Sequence, residues 1–186
     1  MRHITEVGKS ITSELTGINT FECYLAFYSA MVAFDQAESC FKNKEYEATA
    51  VMCRAAIDCA IYEALSRGEN AIEPEFIREV GLSDGSIISV VISTKLNHAE
   101  WDKLKESVKN SKIKILTENE CDEIKEKIRD RGDFEAHAAQ LRDRFMKEDT
   151  KARFEIAPLE AEESFNLTRN YILHIIRRFF KVESIK

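Results

Sequence analysis

The chain has 186 residues, of which 44% are hydrophobic and 32% are charged, so it can bury one core and is expected to form a single domain. Its six glycines and two prolines leave few breakpoints, which disfavours a many-turned β-sandwich or barrel and a disordered chain. The net charge of -6 at pH 7 opposes indiscriminate binding to polyanions, so any nucleic-acid site must be local.

Two long helices are predicted in the first third of the chain. Apolar residues recur at helical spacing between Asn19 and Phe41, on two stripes. One stripe comprises Phe21, Leu25, Tyr28 and Val32, and the other comprises Phe27, Met31, Phe34 and Phe41. The additional stripe can meet another subunit or a third helix of the same fold. From Glu45 to Arg67 the sequence is rich in small apolar residues, which predicts a central helix with close neighbours, and Arg54 can pair there with Asp58 at i,i+4.

The stretch from Glu69 to Lys95 is less regular. We expect Pro74 to open a short helix that ends at Gly81, followed by a turn at residues 83 to 86. The β-branched run from Ile87 to Ile92 is too short for periodicity to separate a strand from a buried helical turn. Its helical context favours a helix.

The second half of the chain carries clearer helix signals. Asn97 with Glu100 resembles a capping box, and the apolar face of the helix that follows carries Trp101, Leu104 and Val108 and ends near Asn110. Thr117 with Glu120 repeats that signature before a helix that is expected to run to Arg131 and stop at Gly132.

Two further helix starts follow. Asp133 is a suitable N-cap for a helix that runs towards Phe145, and Pro158 starts the last helix. Together the patterns predict an all-α, up-and-down bundle of about five principal helices.

Several classes of function are excluded by missing signals. The chain has no Gly-rich phosphate loop before a lysine, no Gly-x-Ser-x-Gly and no His-Glu-x-x-His. Its five cysteines form no Cys-x-x-Cys, so we expect neither disulfides nor zinc, and no metal or cofactor of another kind. No apolar run approaches the roughly 20 residues of a membrane span, and the first ten residues lack a secretory layout, so we expect a cytoplasmic protein without a membrane partner.

The candidate site is the corner between two predicted helices. It brings together Arg129, Arg131, Asp133 and His137. Guanidinium groups and the free N-H groups of a helix start suit phosphate oxygens, while Asp133 can orient the ring of His137 for acid/base work. The same residues also have a structural interpretation, with Asp133 as a cap, the arginines at a helix end and His137 bonded inside the bundle. Taken alone, the residues favour the structural interpretation.

The corner also carries a family resemblance. Residues 128 to 137, Ile-Arg-Asp-Arg-Gly-Asp-Phe-Glu-Ala-His, resemble the Ile-Arg-x-x-Gly-Asn-x-x-Ala-His motif of a HEPN-like subgroup of unassigned function, with Asp133 in place of the asparagine. Arg131 to His137 fits the Arg-x5-His signature of the HEPN superfamily. Residues 47 to 58 resemble the subgroup's Ala-rich helix, and residues 158 to 180 resemble its closing helix. The resemblance implies one HEPN-like domain over residues 1 to 186, with a core at about 19 to 182 and a less regular segment at 69 to 96.

Characterised HEPN toxins are metal-independent ribonucleases whose arginine-histidine pairs meet across a symmetric dimer. The resemblance therefore implies a homodimeric, metal-independent endoribonuclease of a defence or toxin-antitoxin type, with RNA as substrate and an antitoxin as partner. In that scheme His137 moves protons at the RNA 2'-hydroxyl or leaving oxygen, Arg131 stabilises charge on phosphorus with Arg129 as its candidate substitute, and Asp133 orients. A positive face around the motif is then expected to draw on Lys125, Lys127, Arg129, Arg131, Arg142 and Arg144.

Two alternatives stay open. Many HEPN-like domains are non-catalytic, so the chain can be a helical binding or scaffold module. It can also be a nucleotide-binding partner of a separately encoded nucleotidyltransferase.

Overall fold

The structure is a computed structural model, which describes residues 7–67, 74–81, 87–94, 101–132 and 157–181. In chain order these residues form helices α1 (Lys9–Thr12), α2 (Thr20–Lys42) and α3 (Tyr46–Arg67), strands β1 (Pro74–Gly81) and β2 (Ile87–Thr94), and helices α4 (Trp101–Asn110), α5 (Glu118–Ile124) and α6 (Pro158–Phe179). A π-helical segment, Lys125–Arg129, continues α5, and residues 130–132 are helical as well. The predicted all-α bundle is confirmed, with one two-stranded hairpin added to it.

Helices α2, α3 and α6 contact one another at the centre of the bundle. Small residues of α3 make the close approach feasible, because Ala56 and Ala60 are fully buried and add little thickness between neighbouring backbones. Aromatic rings join α2 to α6 at both ends. Phe34 stacks on Phe165 with the ring centroids 5.1 Å apart, and Phe27 meets Phe179 edge to face at 5.2 Å.

Helix α2 is broken at Phe27, whose φ of -130° and ψ of 32° are not helical. Just after the break, the carboxylate of Glu63 on α3 accepts the N-H groups of Ser29 and Ala30 at 2.9 and 3.1 Å. Glu63 is only 2% exposed. Burial raises the pKa of this carboxyl to about 7, although the two N-H groups act in the opposite direction.

The hairpin corrects two expectations. Pro74 opens a strand rather than a short helix, and the run from Ile87 to Ile92 lies in β2 rather than in a helical turn. The strands pair antiparallel from Gly81 opposite Ile87 to Pro74 opposite Thr94, with irregular register near Phe76. β-Branched side chains favour the pleated backbone, and β2 contacts α2 and α3, so local propensity outweighs the helical context.

The later helices follow the sequence signals. The Thr117 hydroxyl accepts the N-H of Glu120 while the Glu120 carboxylate accepts the N-H of Thr117, which is the predicted capping box of α5. α4 ends at Asn110 and α6 begins at Pro158, as predicted. The predicted capping box at Asn97 and the predicted helix from Asp133 lie outside the described residues. None of the described helices is long and apolar enough to span a membrane.

Candidate functional site

Arg129 and Arg131 point towards different helices of the bundle. Ile124 and Ile128 are fully buried, so the helix that carries the arginines is anchored in the core on that face. Side chains two residues apart on a helix do not face each other. The π-helical segment ends at Arg129, and its extra residue per turn allows both Ile128 and Arg129 to be buried.

Arg129 is fixed against α3. Its Nε lies 2.9 Å from Oδ1 of Asp58, and its side chain is only 7% exposed. The guanidinium carbon stands 4.6 Å from the ring centroid of Trp101, in a cation-π contact. Asp58 is also approached by Arg54 Nε, at 3.7 Å, so the i,i+4 pair expected on α3 is present and Arg129 joins it. One carboxylate thus serves two guanidinium groups.

Arg131 is fixed against α6. Its Nη2 donates to the carboxylate of Glu163 at 2.8 Å, and its Nη1 donates to the Glu160 carbonyl at 3.0 Å and to the Ser164 hydroxyl at 3.1 Å. The Ser164 hydroxyl in turn donates to the carbonyl of Lys127 at 2.7 Å. The side chain of Arg131 retains 23% exposure, considerably more than that of Arg129.

Arg131 is the last member of a row of polar contacts between α5, its π-helical continuation and α6, which we call the polar seam. Lys127 Nζ lies 3.0 Å from Glu163 and 3.4 Å from Glu123, and the hydroxyl of Tyr171 donates to Glu123. At the other end, Arg178 donates to Glu120 at 2.6 and 3.0 Å.

Hydrogen bonds from Arg131 and Lys127 lower the pKa of Glu163. The seam therefore consists of alternating charges that satisfy one another.

Gly132, at which the helix is expected to stop, is itself helical. Its φ is not positive, so the residue is not a left-handed cap. A Cβ at this position would lie 2.6 Å from Cβ of Arg54 and 2.8 Å from the carbonyl oxygen of Ala50. Glycine is required because the helix touches α3 here. This contact, together with the ion pair of Asp58 and Arg129, fixes the corner on α3.

The structure describes two of the four predicted site residues. Arg129 and Arg131 are described and bind different helices, so the structure does not gather them around one point. Asp133 and His137 lie outside the described residues.

The cations of the expected positive face are paired. Lys125 Nζ lies 2.8 Å from Asp130, while Lys127, Arg129 and Arg131 have the carboxylate partners given above. Their charges are neutralised locally, so these four residues do not form the expected positive face. Arg142 and Arg144 lie outside the described residues.

Sequence reasoning missed the partners of the two arginines. The i,i+4 spacing reveals Arg54 with Asp58, but nothing in the sequence links either residue to Arg129, to Trp101 or to the seam. Helical spacing reports only contacts within one helix.

Comparisons with known proteins return no match: no family model, no curated protein and no solved structure matches the chain. Across residues 7–67, 101–132 and 157–181, no three His, Cys, Asp or Glu side chains are grouped so that they could hold a metal ion.

Proposed function

We propose that the protein is a non-enzymatic helical binding module, in which Arg129 and Arg131 hold the helices together. One observation carries the proposal: both guanidinium groups are at ion-pair distance from carboxylates of neighbouring helices. Stabilising charge on phosphorus would require these donors to face phosphate oxygens instead. For Arg129 that movement would also break its ion pair with Asp58, whose side chain is only 16% exposed.

The charge distribution supports a protein partner rather than a nucleic acid. The chain carries a net charge of -6, and the described cations beside the corner already have carboxylate partners. Binding to RNA depends on cations that can replace the counterions of the phosphate backbone. We therefore expect no mobility shift of single-stranded RNA with the purified protein at low salt.

We also propose that one partner is a second copy of this chain. The stripe of α2 that contains Phe21, Leu25, Tyr28 and Val32 is only partly covered, and Phe21 is 45% exposed. Light scattering during size-exclusion chromatography should give twice the chain mass. A Phe21→Ser variant should shift the equilibrium towards the monomer, whereas a monomeric wild type would refute this part of the proposal.

A ribonuclease is the second candidate, and one observation favours it. Arg131, unlike Arg129, is still 23% exposed, and it lies immediately before the segment that leads to His137. The resemblance assigns this pair the roles of charge stabiliser and proton carrier.

One assay separates the two candidates. End-labelled RNA is incubated with wild type and with His137→Ala in the presence of EDTA. A binding module gives the same uncut RNA with both proteins. Cleavage in EDTA that fails on a substrate without the 2'-hydroxyl, and fails with His137→Ala at unchanged melting temperature, would establish the ribonuclease and overturn our first proposal.

A further inference from the structure

A cleft of about 150 Å³ lies between α4 and α5, away from the corner. Its floor is apolar and comes from Val108, Leu116 and Cys121, each of which is almost fully buried. Its rim carries Thr117, Glu118 and three lysines, Lys105, Lys109 and Lys114. The cleft thus combines a hydrophobic base with a basic edge.

The three ammonium groups are not equivalent. The ammonium group of Lys105 is already in ion pairs, because its Nζ lies 2.7 Å from Asp122 and 3.6 Å from Glu118. Lys114 Nζ donates to the carbonyl of Lys109 at 2.8 Å, which holds this ammonium group at the end of α4. Within the described part of the chain, neither Lys109 nor Lys114 has a carboxylate at ion-pair distance. The Glu118 carboxylate on the rim lies at ion-pair distance from Lys105, so Lys109 and Lys114 are the two rim cations of the described residues that remain for an anionic ligand.

We propose that this cleft binds a small organic carboxylate with a ring-sized apolar body. An apolar cavity of about 150 Å³ accommodates a molecule of the size of benzene. The body would cover Val108, Leu116 and Cys121, while Lys109 and Lys114 would contact the carboxylate.

The probes are sodium benzoate and benzyl alcohol, which share a ring and differ in charge. Each is titrated into the isotope-labelled full chain at low salt while amide and methyl signals are recorded. We expect benzoate to move the signals of Val108, Leu116 and Cys121 saturably, with at least tenfold tighter binding than benzyl alcohol. Equal binding of the two probes, or shifts confined to other regions, would overturn the proposal.

A charge-matched pair of variants completes the test. Lys109→Gln with Lys114→Gln should abolish the preference for benzoate and leave benzyl alcohol binding unchanged, since both side chains are exposed and an unchanged melting temperature verifies the fold. Lys42→Gln with Lys103→Gln removes the same charge from exposed positions outside the cleft and should keep the preference. If both double variants lose the preference for benzoate equally, this preference comes from net charge and the proposed site is refuted.

Discussion

The Nε of Arg129 lies 2.9 Å from Oδ1 of Asp58, so a buried ion pair joins the helix of the candidate corner to α3. The guanidinium also covers the ring of Trp101 on α4. The Arg129 side chain therefore connects three helices, and these contacts account for its burial without a catalytic role.

Removing the Asp58 carboxylate should strongly lower the free energy of unfolding. Asp58→Asn leaves the buried guanidinium of Arg129 without its closest charge, and breaking a buried pair typically costs about 3 kcal/mol or more. Urea denaturation monitored by circular dichroism gives the free energy of unfolding. The control is Asp122→Asn, which removes the partner of Lys105 at an exposed position and should have a much smaller effect. Equal effects of the two variants would contradict the assigned role of Asp58.

Gly132→Ala tests the contact between the corner and α3. The new Cβ would meet the Arg54 side chain and the Ala50 carbonyl at less than van der Waals distance. Overpacking of this kind costs about 2 kcal/mol. Gly17→Ala provides a contrast, because Gly17 has open space but a φ of +79°, so only backbone strain of roughly 1 kcal/mol is expected. A neutral Gly132→Ala would mean that the helix does not touch α3 there.

Glu63 should make stability depend on pH in an unusual direction. Burial raises the pKa of this carboxyl to about 7 in the folded chain, above the unfolded value of about 4.3. Between these values the folded state binds the proton more tightly, so stability falls as pH rises from about 4.3 to 7 and the loss is complete above 7. Burial raises the pKa of Cys23 and Cys59, the neighbouring thiols, to about 12, so both stay protonated throughout this range.

The matching variant is Glu63→Gln, which does not titrate. As pH rises from 4.5 to 8, the free energy of unfolding of the wild type should fall by up to about 3 kcal/mol relative to that of the variant. Urea titrations of both proteins at four pH values measure these free energies of unfolding. Parallel pH profiles would show that Glu63 is not the titrating group.

The sequence predicts the helices far better than the contacts between them. The N-cap Thr117, a proline at the first helical position of α6 and a 3.6-residue apolar period are local signals, and α2 to α6 follow them. The hairpin was missed because five β-branched residues look alike in a strand and in a buried turn. The pairings of Arg129 with Asp58 and of Arg131 with Glu163 depend on how separate helices pack, which no local spacing reveals.

A double-mutant cycle measures how strongly the polar seam holds Arg131. The cycle combines Arg131→Gln with Glu163→Gln. We expect a coupling energy of about 0.5–1 kcal/mol, because the pair is partly exposed and is screened by solvent. The coupling should weaken in 1 M NaCl. A coupling of zero at low salt would show that Arg131 is not held by Glu163 in solution.

In the proposed binding module, the guanidinium groups of Arg129 and Arg131 are committed to carboxylates inside the protein. Arginine Nε-H signals, recorded by ¹H-¹⁵N NMR during titration with an RNA oligonucleotide that lacks the 2'-hydroxyl, test it directly. We expect the Arg129 signal to exchange slowly with solvent, and neither arginine signal to move as the RNA is added. Saturable shifts of both signals at RNA concentrations that leave the fold unchanged would contradict the account.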